Sequence, residues 1–191
     1  MAAFWQSLLL VFLAELGDKT QLASLAFSTR YGPLTALAGV AVATLAVHLL
    51  SAALGQVLGA ALPTPWTQVL AGLAFIGFGL WTLRGEPWDK DCSAPPTRFS
   101  PFLTVATALL VAELGDKTML TTVTIASQQQ ALVPVWLGST LGMVLSDSLA
   151  IALGTVARRQ LPARAVWLLA GTTFLAVGLW TLATALVEPT R

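Results

Sequence analysis

The sequence predicts an all-α integral membrane protein whose six transmembrane helices form two inverted three-helix repeats. Three observations lead there. Hydrophobic residues make up 56% of the chain and charged residues only 10%, against about a quarter charged in a soluble domain. Six apolar runs follow one another, each long enough to cross a bilayer as a helix. The hexapeptide Glu-Leu-Gly-Asp-Lys-Thr occurs at residues 15–20 and again at 113–118, opening two stretches that otherwise recur.

The first run, residues 4–27, carries the first motif in its middle. It has no basic segment ahead of it and is expected to belong to the mature protein rather than to a signal peptide. Residues 34–62 form the second run, long enough to tilt or fray at its Ala/Gly-rich ends, and residues 66–83 the third. The fourth run, 102–125, holds the second motif. Residues 133–157 and 165–187 complete the set. Turn chemistry separates the runs at Tyr31-Gly32-Pro33, Pro63-Thr64-Pro65, Gln128-Gln129-Gln130 and residues 158–162. The whole chain, 1–191, reads as one transmembrane domain: repeat one over 1–83, a polar linker over 84–101 and repeat two over 102–191. The lone cysteine, Cys92, lies in the linker and excludes an internal disulfide.

The repeats match residue by residue. The motif recurs at an offset of 98 and the downstream sequence at 99, so Gly39 pairs with Gly138, Gly55 with Gly154, and residues 72–83 with 171–182. Three helices per repeat is an odd number, which inverts the second repeat in the bilayer. Inverted repeats with a site at their interface are the architecture of alternating-access transporters. Orientation follows from Arg30, Arg84, Lys90, Arg98, Arg158, Arg159 and Arg164 on one side against Arg191 on the other. Both termini are therefore expected outside and the 84–101 linker in the cytoplasm. A formal charge of +1 gives no footprint for nucleic acid.

Six charged side chains in the two motifs sit near the hydrocarbon midplane, at a cost on the order of 15–20 kcal/mol before pairing. Packing alone does not account for that, so the motifs mark a site. On a continuous helix Glu15 and Asp18 share a face, and Lys19 reaches the Glu15 carboxylate; Glu113, Asp116 and Lys117 repeat the pattern. Gly17 and Gly115 permit either close helix approach or local unwinding. Thr20 and Thr118 point away on an ideal helix and join the site only if the helix breaks. Each motif carries net −1 when fully ionised, and the pair, at −2, balances one divalent cation. Carboxylate, carbonyl and hydroxyl oxygens suit hard ions such as Ca²⁺, Mg²⁺ and Mn²⁺. The candidate metal ligands are Glu15, Asp18, Glu113 and Asp116.

The same carboxylates supply coupling. In a low-dielectric cavity they hold protons more readily than in water, and a metal must displace those protons to bind. Metal and protons are then the exchanged partners, and the lipid bilayer is the solvent. Lys19 and Lys117 read as fixed counter-charges or neutral amines in the empty site. His48 and Asp147 occupy equivalent places in the second helix of each repeat and are candidates for a proton step or an extra ligand, with Gln21 a weaker one. No nucleophile–base pair, nucleotide loop or cofactor motif is present, so no enzyme activity and no cofactor are expected. Small-residue faces such as Gly72/Gly79 offer a homodimer surface.

The duplicated Glu-x-Gly-Asp-Lys-Thr motifs, each opening a three-helix half, resemble the Gdt1-like membrane protein family. The resemblance covers nearly the whole chain. It implies a cation/proton antiporter moving Mn²⁺ or Ca²⁺, with Glu15, Gly17, Asp18, Lys19 and Thr20, and Glu113, Gly115, Asp116, Lys117 and Thr118, as the residues that carry it. The short linker lacks the long acidic loop of some members, and the compact chain looks bacterial, with the inner membrane as its location. The alternatives are an exporter of another small cationic solute, a passive channel, and a non-transporting scaffold whose Glu–Lys pairs lock the helices.

Overall fold

In a computed structural model, residues 1–84, 100–158 and 163–187 are described here, excluding the side chains of Lys19, Thr64, Pro65, 153–158 and 163–167. The linker residues Lys90, Cys92 and Arg98, and Arg159 and Arg191, lie outside the described residues. The described chain is helical throughout: α1 (Ala2–Glu15), α2 (Lys19–Tyr31), α3 (Pro33–Ala61), α4 (Thr64–Arg84), α5 (Pro101–Glu113), α6 (Lys117–Gln129), α7 (Leu132–Arg158) and α8 (Ala163–Val187).

Four of these are long and apolar enough to cross a membrane, within Pro33–Ala61, Trp66–Arg84, Leu132–Ala152 and Leu168–Leu186. The two motif-bearing runs differ from expectation. Each is interrupted at its motif and becomes a pair of short helices, α1 with α2 and α5 with α6. The continuous-helix geometry read from the sequence does not hold there, because Leu-Gly in the motif forms a turn. Elsewhere helix ends follow the turn residues. Gly32 takes φ +90 ahead of Pro33 at the start of α3, and Gln130 caps α6 in the left-handed region at φ 48.

The two halves of the chain are interleaved. α1 packs on α7, α3 on both α5 and α6, and α4 on α8, so the main neighbours of these helices belong to the other half, while α2 packs equally on α3 and α7. Small residues allow these approaches. A Cβ on Gly39 of α3 would lie 2.6 Å from Val105 Cγ1 of α5, and one on Gly142 of α7 would lie 2.5 Å from the Leu8 carbonyl of α1. Without a hydrophobic force between helices in lipid, such close contacts supply the packing energy. The α4–α8 seam is made the same way. A Cβ on Gly72 would fall 2.7 Å from Leu182 Cγ, and one on Gly171 would fall 2.6 Å from Leu83 Cγ. The Gly72/Gly79 face is thus used inside the chain rather than left free for a second copy. Phe75 and Phe174 stack at 6.2 Å beside this seam and lead a buried apolar cluster with Leu10, Ala52, Ile125 and Val135.

Candidate cation site at two helix breaks

Each motif breaks its helix in the same way. Leu16 has φ −60 and ψ 119 and Gly17 has φ 77, while Asp18 N–H donates to the Glu15 carbonyl at 3.1 Å. Leu114 has φ −65 and ψ 113 and Gly115 has φ 84, with Asp116 N–H donating to the Glu113 carbonyl at 3.2 Å. These are the angles of a type II turn, which needs positive φ at its third residue and therefore glycine. A Cβ on Gly115 would meet nothing within 4 Å. Of the two roles expected for the motif glycine, local unwinding is the one realised at Gly115.

The break turns the threonines inward. Thr20 donates its hydroxyl to Glu15 Oε1, and Thr118 donates to Glu113 Oε2 at 2.7 Å. Glu15, Glu113 and Thr118 are completely buried and Thr20 nearly so. The other oxygen of each glutamate, Glu15 Oε2 and Glu113 Oε1, is buried with no hydrogen-bond donor among the described residues. An unmet lone pair of this kind is expensive in an apolar interior and marks where a proton or a cation is accepted.

The acids of the two halves meet. Glu15 interacts electrostatically with Glu113, Asp18 and Asp147, and Glu113 with Asp116, Asp147 and Asp18. Asp116 also feels Asp18. Among the described residues no three of His, Cys, Asp or Glu converge on one metal-sized position, so the acids are gathered without forming a finished coordination shell. Lys117 enters this cluster: its Nζ lies 3.1 Å from Asp18 Oδ2. Lys117 also stays in electrostatic range of Asp116 in its own motif. The turn between Glu113 and Lys117 removes the helical i,i+4 geometry and aims the ammonium at the other half of the chain. The Lys19 side chain lies outside the described residues.

The equivalent positions His48 and Asp147 have diverged. Both are completely buried. Asp147 lies among the acids, with Ser24 of α2 beside it and Asp18 in electrostatic range. Neither ring nitrogen of His48 has a hydrogen-bond partner among the described residues, and nothing joins it to the carboxylates.

Gln21 does more than its weak sequence signal suggested. Its Oε1 accepts from Gly17 N–H at 2.8 Å, and its Nε2 donates to the Ser146 carbonyl at 2.9 Å and hydroxyl at 2.7 Å. It braces the first turn against α7. The matching Gly115 N–H meets the Met119 sulfur at 3.2 Å instead, a weaker acceptor. Ser24 was not singled out from sequence, although its place four residues after Thr20 put it on the same face.

The chain is similar to several known proteins. Residues 3–90 and 101–189 each match the family described as "Divalent cation/proton antiporter GDT1". A Vibrio cholerae protein named "Putative manganese exporter" is 36% identical over 158 residues, covering 82% of this chain and 78% of that relative. GDT1-like protein 5 of Arabidopsis thaliana is 28% identical over 96% of both chains. GDT1-like protein sll0615 of a Synechocystis strain is 26% identical over 91% of this chain and 93% of its own length. No solved structure matches the chain. The family is one of membrane cation transporters rather than enzymes, and the chain belongs to it, as a member of the divalent cation/proton antiporter family GDT1.

Proposed function

We propose that this protein exchanges a divalent cation for protons and exports the metal from the cytoplasm, with Mn²⁺ as its foremost substrate and Ca²⁺ as a second. The carrying observation is the paired helix break. Two buried glutamates from opposite halves of the chain each keep one oxygen bound by a threonine and one with no donor among the described residues. In this reading Glu15, Asp18, Glu113 and Asp116 share the metal and the protons, and Thr20 and Thr118 orient the glutamates. Asp147 takes part in the proton step. The starts of α2 and α6 bring positive dipole ends toward these acids, as in other transporters with discontinuous helices.

We read the six apolar runs as six spans in two inverted repeats that rock about the acid cluster. The basic residues place both termini outside and the 84–101 linker in the cytoplasm of a bacterial inner membrane. The relative's printed name supports manganese and export, and the family description supports proton exchange.

The Lys117–Asp18 pair favours a second reading, a non-transporting scaffold locked by ion pairs. The oxygens of Glu15 and Glu113 that meet no donor among the described residues argue against it, since a scaffold gains nothing from leaving them unmet. The deciding experiment uses purified protein in liposomes with an internal pH dye and added Mn²⁺, Ca²⁺ or Mg²⁺. Proton movement opposite to Mn²⁺, abolished in Glu113→Gln, is the expected result. Metal entry without proton movement would replace exchange by a channel, and absence of any flux would leave the scaffold.

A further inference from the structure

The Lys117–Asp18 contact joins α6 of the second half to the turn between α1 and α2 of the first. The Asp18 side chain is 1% exposed and that of Lys117 9% exposed. Asp18 is also the acid that every other carboxylate of the cluster senses: Glu15, Glu113, Asp116 and Asp147. An ammonium 3.1 Å from Asp18 Oδ2 stands where a cation bound by that oxygen would stand, since divalent ions sit about 2.0–2.6 Å from their oxygen ligands. A second positive charge on the same carboxylate oxygen is repelled by the ammonium, and strongly so in a medium of low dielectric. A tethered ammonium has a further property. It neutralises part of the acid cluster yet cannot leave with the cargo.

Resting on the cation-transport reading, we propose that Lys117 is the resident counter-cation of the empty site, and that the incoming divalent ion displaces it from Asp18. Loading the site then does two things at once. It removes the ammonium from the acid cluster, and it releases an ion pair that ties α6 to the first motif. Lys117 is on this account a determinant of affinity: it sets how tightly a divalent ion must bind before the two halves come apart.

The test is Mn²⁺ titration of the purified full-length protein in detergent, with free Mn²⁺ read by its electron paramagnetic resonance signal. Lys117→Gln, which keeps a polar side chain of similar length without the charge, is expected to bind Mn²⁺ about tenfold tighter than the unsubstituted protein. Equal or weaker binding by a variant that melts as the unsubstituted protein does overturns the proposal. The unsubstituted chain gives a second readout that needs no variant: reductive methylation with formaldehyde, followed by mass spectrometry. Labelling at Lys117 is expected to rise when Mn²⁺ is present, and unchanged or lower labelling counts against displacement. These outcomes separate the two readings. If the unsubstituted protein binds no Mn²⁺, the cation site itself fails; if it binds Mn²⁺ but the Lys117→Gln variant binds no tighter, only the competition fails.

Discussion

Thr118 and Glu113 are five residues apart, too far around a continuous helix to meet, yet the Thr118 hydroxyl donates to Glu113 Oε2 at 2.7 Å. The turn at Leu114-Gly115 makes this contact, and the Thr20–Glu15 pair repeats it in the other half. Removing the hydroxyl while keeping the shape, as in Thr118→Val, leaves a buried carboxylate without its donor. We expect about 1.5 kcal/mol, or roughly a tenfold loss of apparent Mn²⁺ affinity. Thr118→Ser should retain most of the binding. Titration of both variants in detergent checks the pair.

Exchange of metal for protons at shared carboxylates fixes the sign of the pH dependence. Protons and metal compete, so apparent metal affinity must rise as pH rises, by about tenfold per pH unit for each proton displaced. Glu113→Gln removes one exchangeable proton and should lower that slope by about one. Mn²⁺ binding between pH 5.5 and 8.5 measures it. A slope of zero in the unsubstituted protein would separate metal binding from proton release.

The motif glycine is predicted to be needed for its backbone alone. Gly115 has φ +84 and open space where a Cβ would lie, so Gly115→Ala brings no clash and only the penalty of a left-handed conformation. That penalty is about 1–2 kcal/mol. Gly115→Asn should cost less, since asparagine tolerates the left-handed region. Thermal unfolding in detergent ranks the three proteins, and a Gly115→Ala variant as stable as its parent would mean that the turn is not held.

At the α4–α8 seam the cost is steric instead. Gly72→Leu and Gly171→Leu would each drive a side chain into Leu182 or Leu83 across the seam. Overpacking of this kind destabilises by about 1–3 kcal/mol. The mass measured by light scattering should not change, because this face packs within one chain. A shift in that mass instead of in stability would return Gly72 and Gly79 to a dimer interface.

Bracing of the first turn gives a fifth test. Gln21→Leu removes the acceptor for Gly17 N–H and the donor to Ser146 together. Met119→Leu removes only a weak sulfur acceptor from Gly115 N–H. The first is expected to slow Mn²⁺ flux in liposomes severalfold more than the second.

The sequence by itself determined the all-helical, apolar character of the chain, the outer ends of its apolar runs within a few residues, the location of the acids and the family. Those features are local: the length of an apolar run against the bilayer thickness, Gly and Pro at the turns, and charges where lipid forbids them. It left the motif glycine open between packing and unwinding, because membrane helices carry glycine for both. Only the tertiary structure decided the rest. It selected unwinding, which brought Thr20 and Thr118 to the glutamates. It paired Lys117 with Asp18 of the other motif. It set Asp147 in electrostatic range of Asp18 and gave His48 no hydrogen-bond partner among the described residues, although one offset relates the two. It also used the Gly72/Gly79 face within the chain. The outcomes for Lys117, Asp147 and the Gly72/Gly79 face depend on which side chain some hundred residues away stands opposite, and helical periodicity carries no information about that. Contact between the halves does, because a buried charge takes whichever partner the packing brings within about 3 Å.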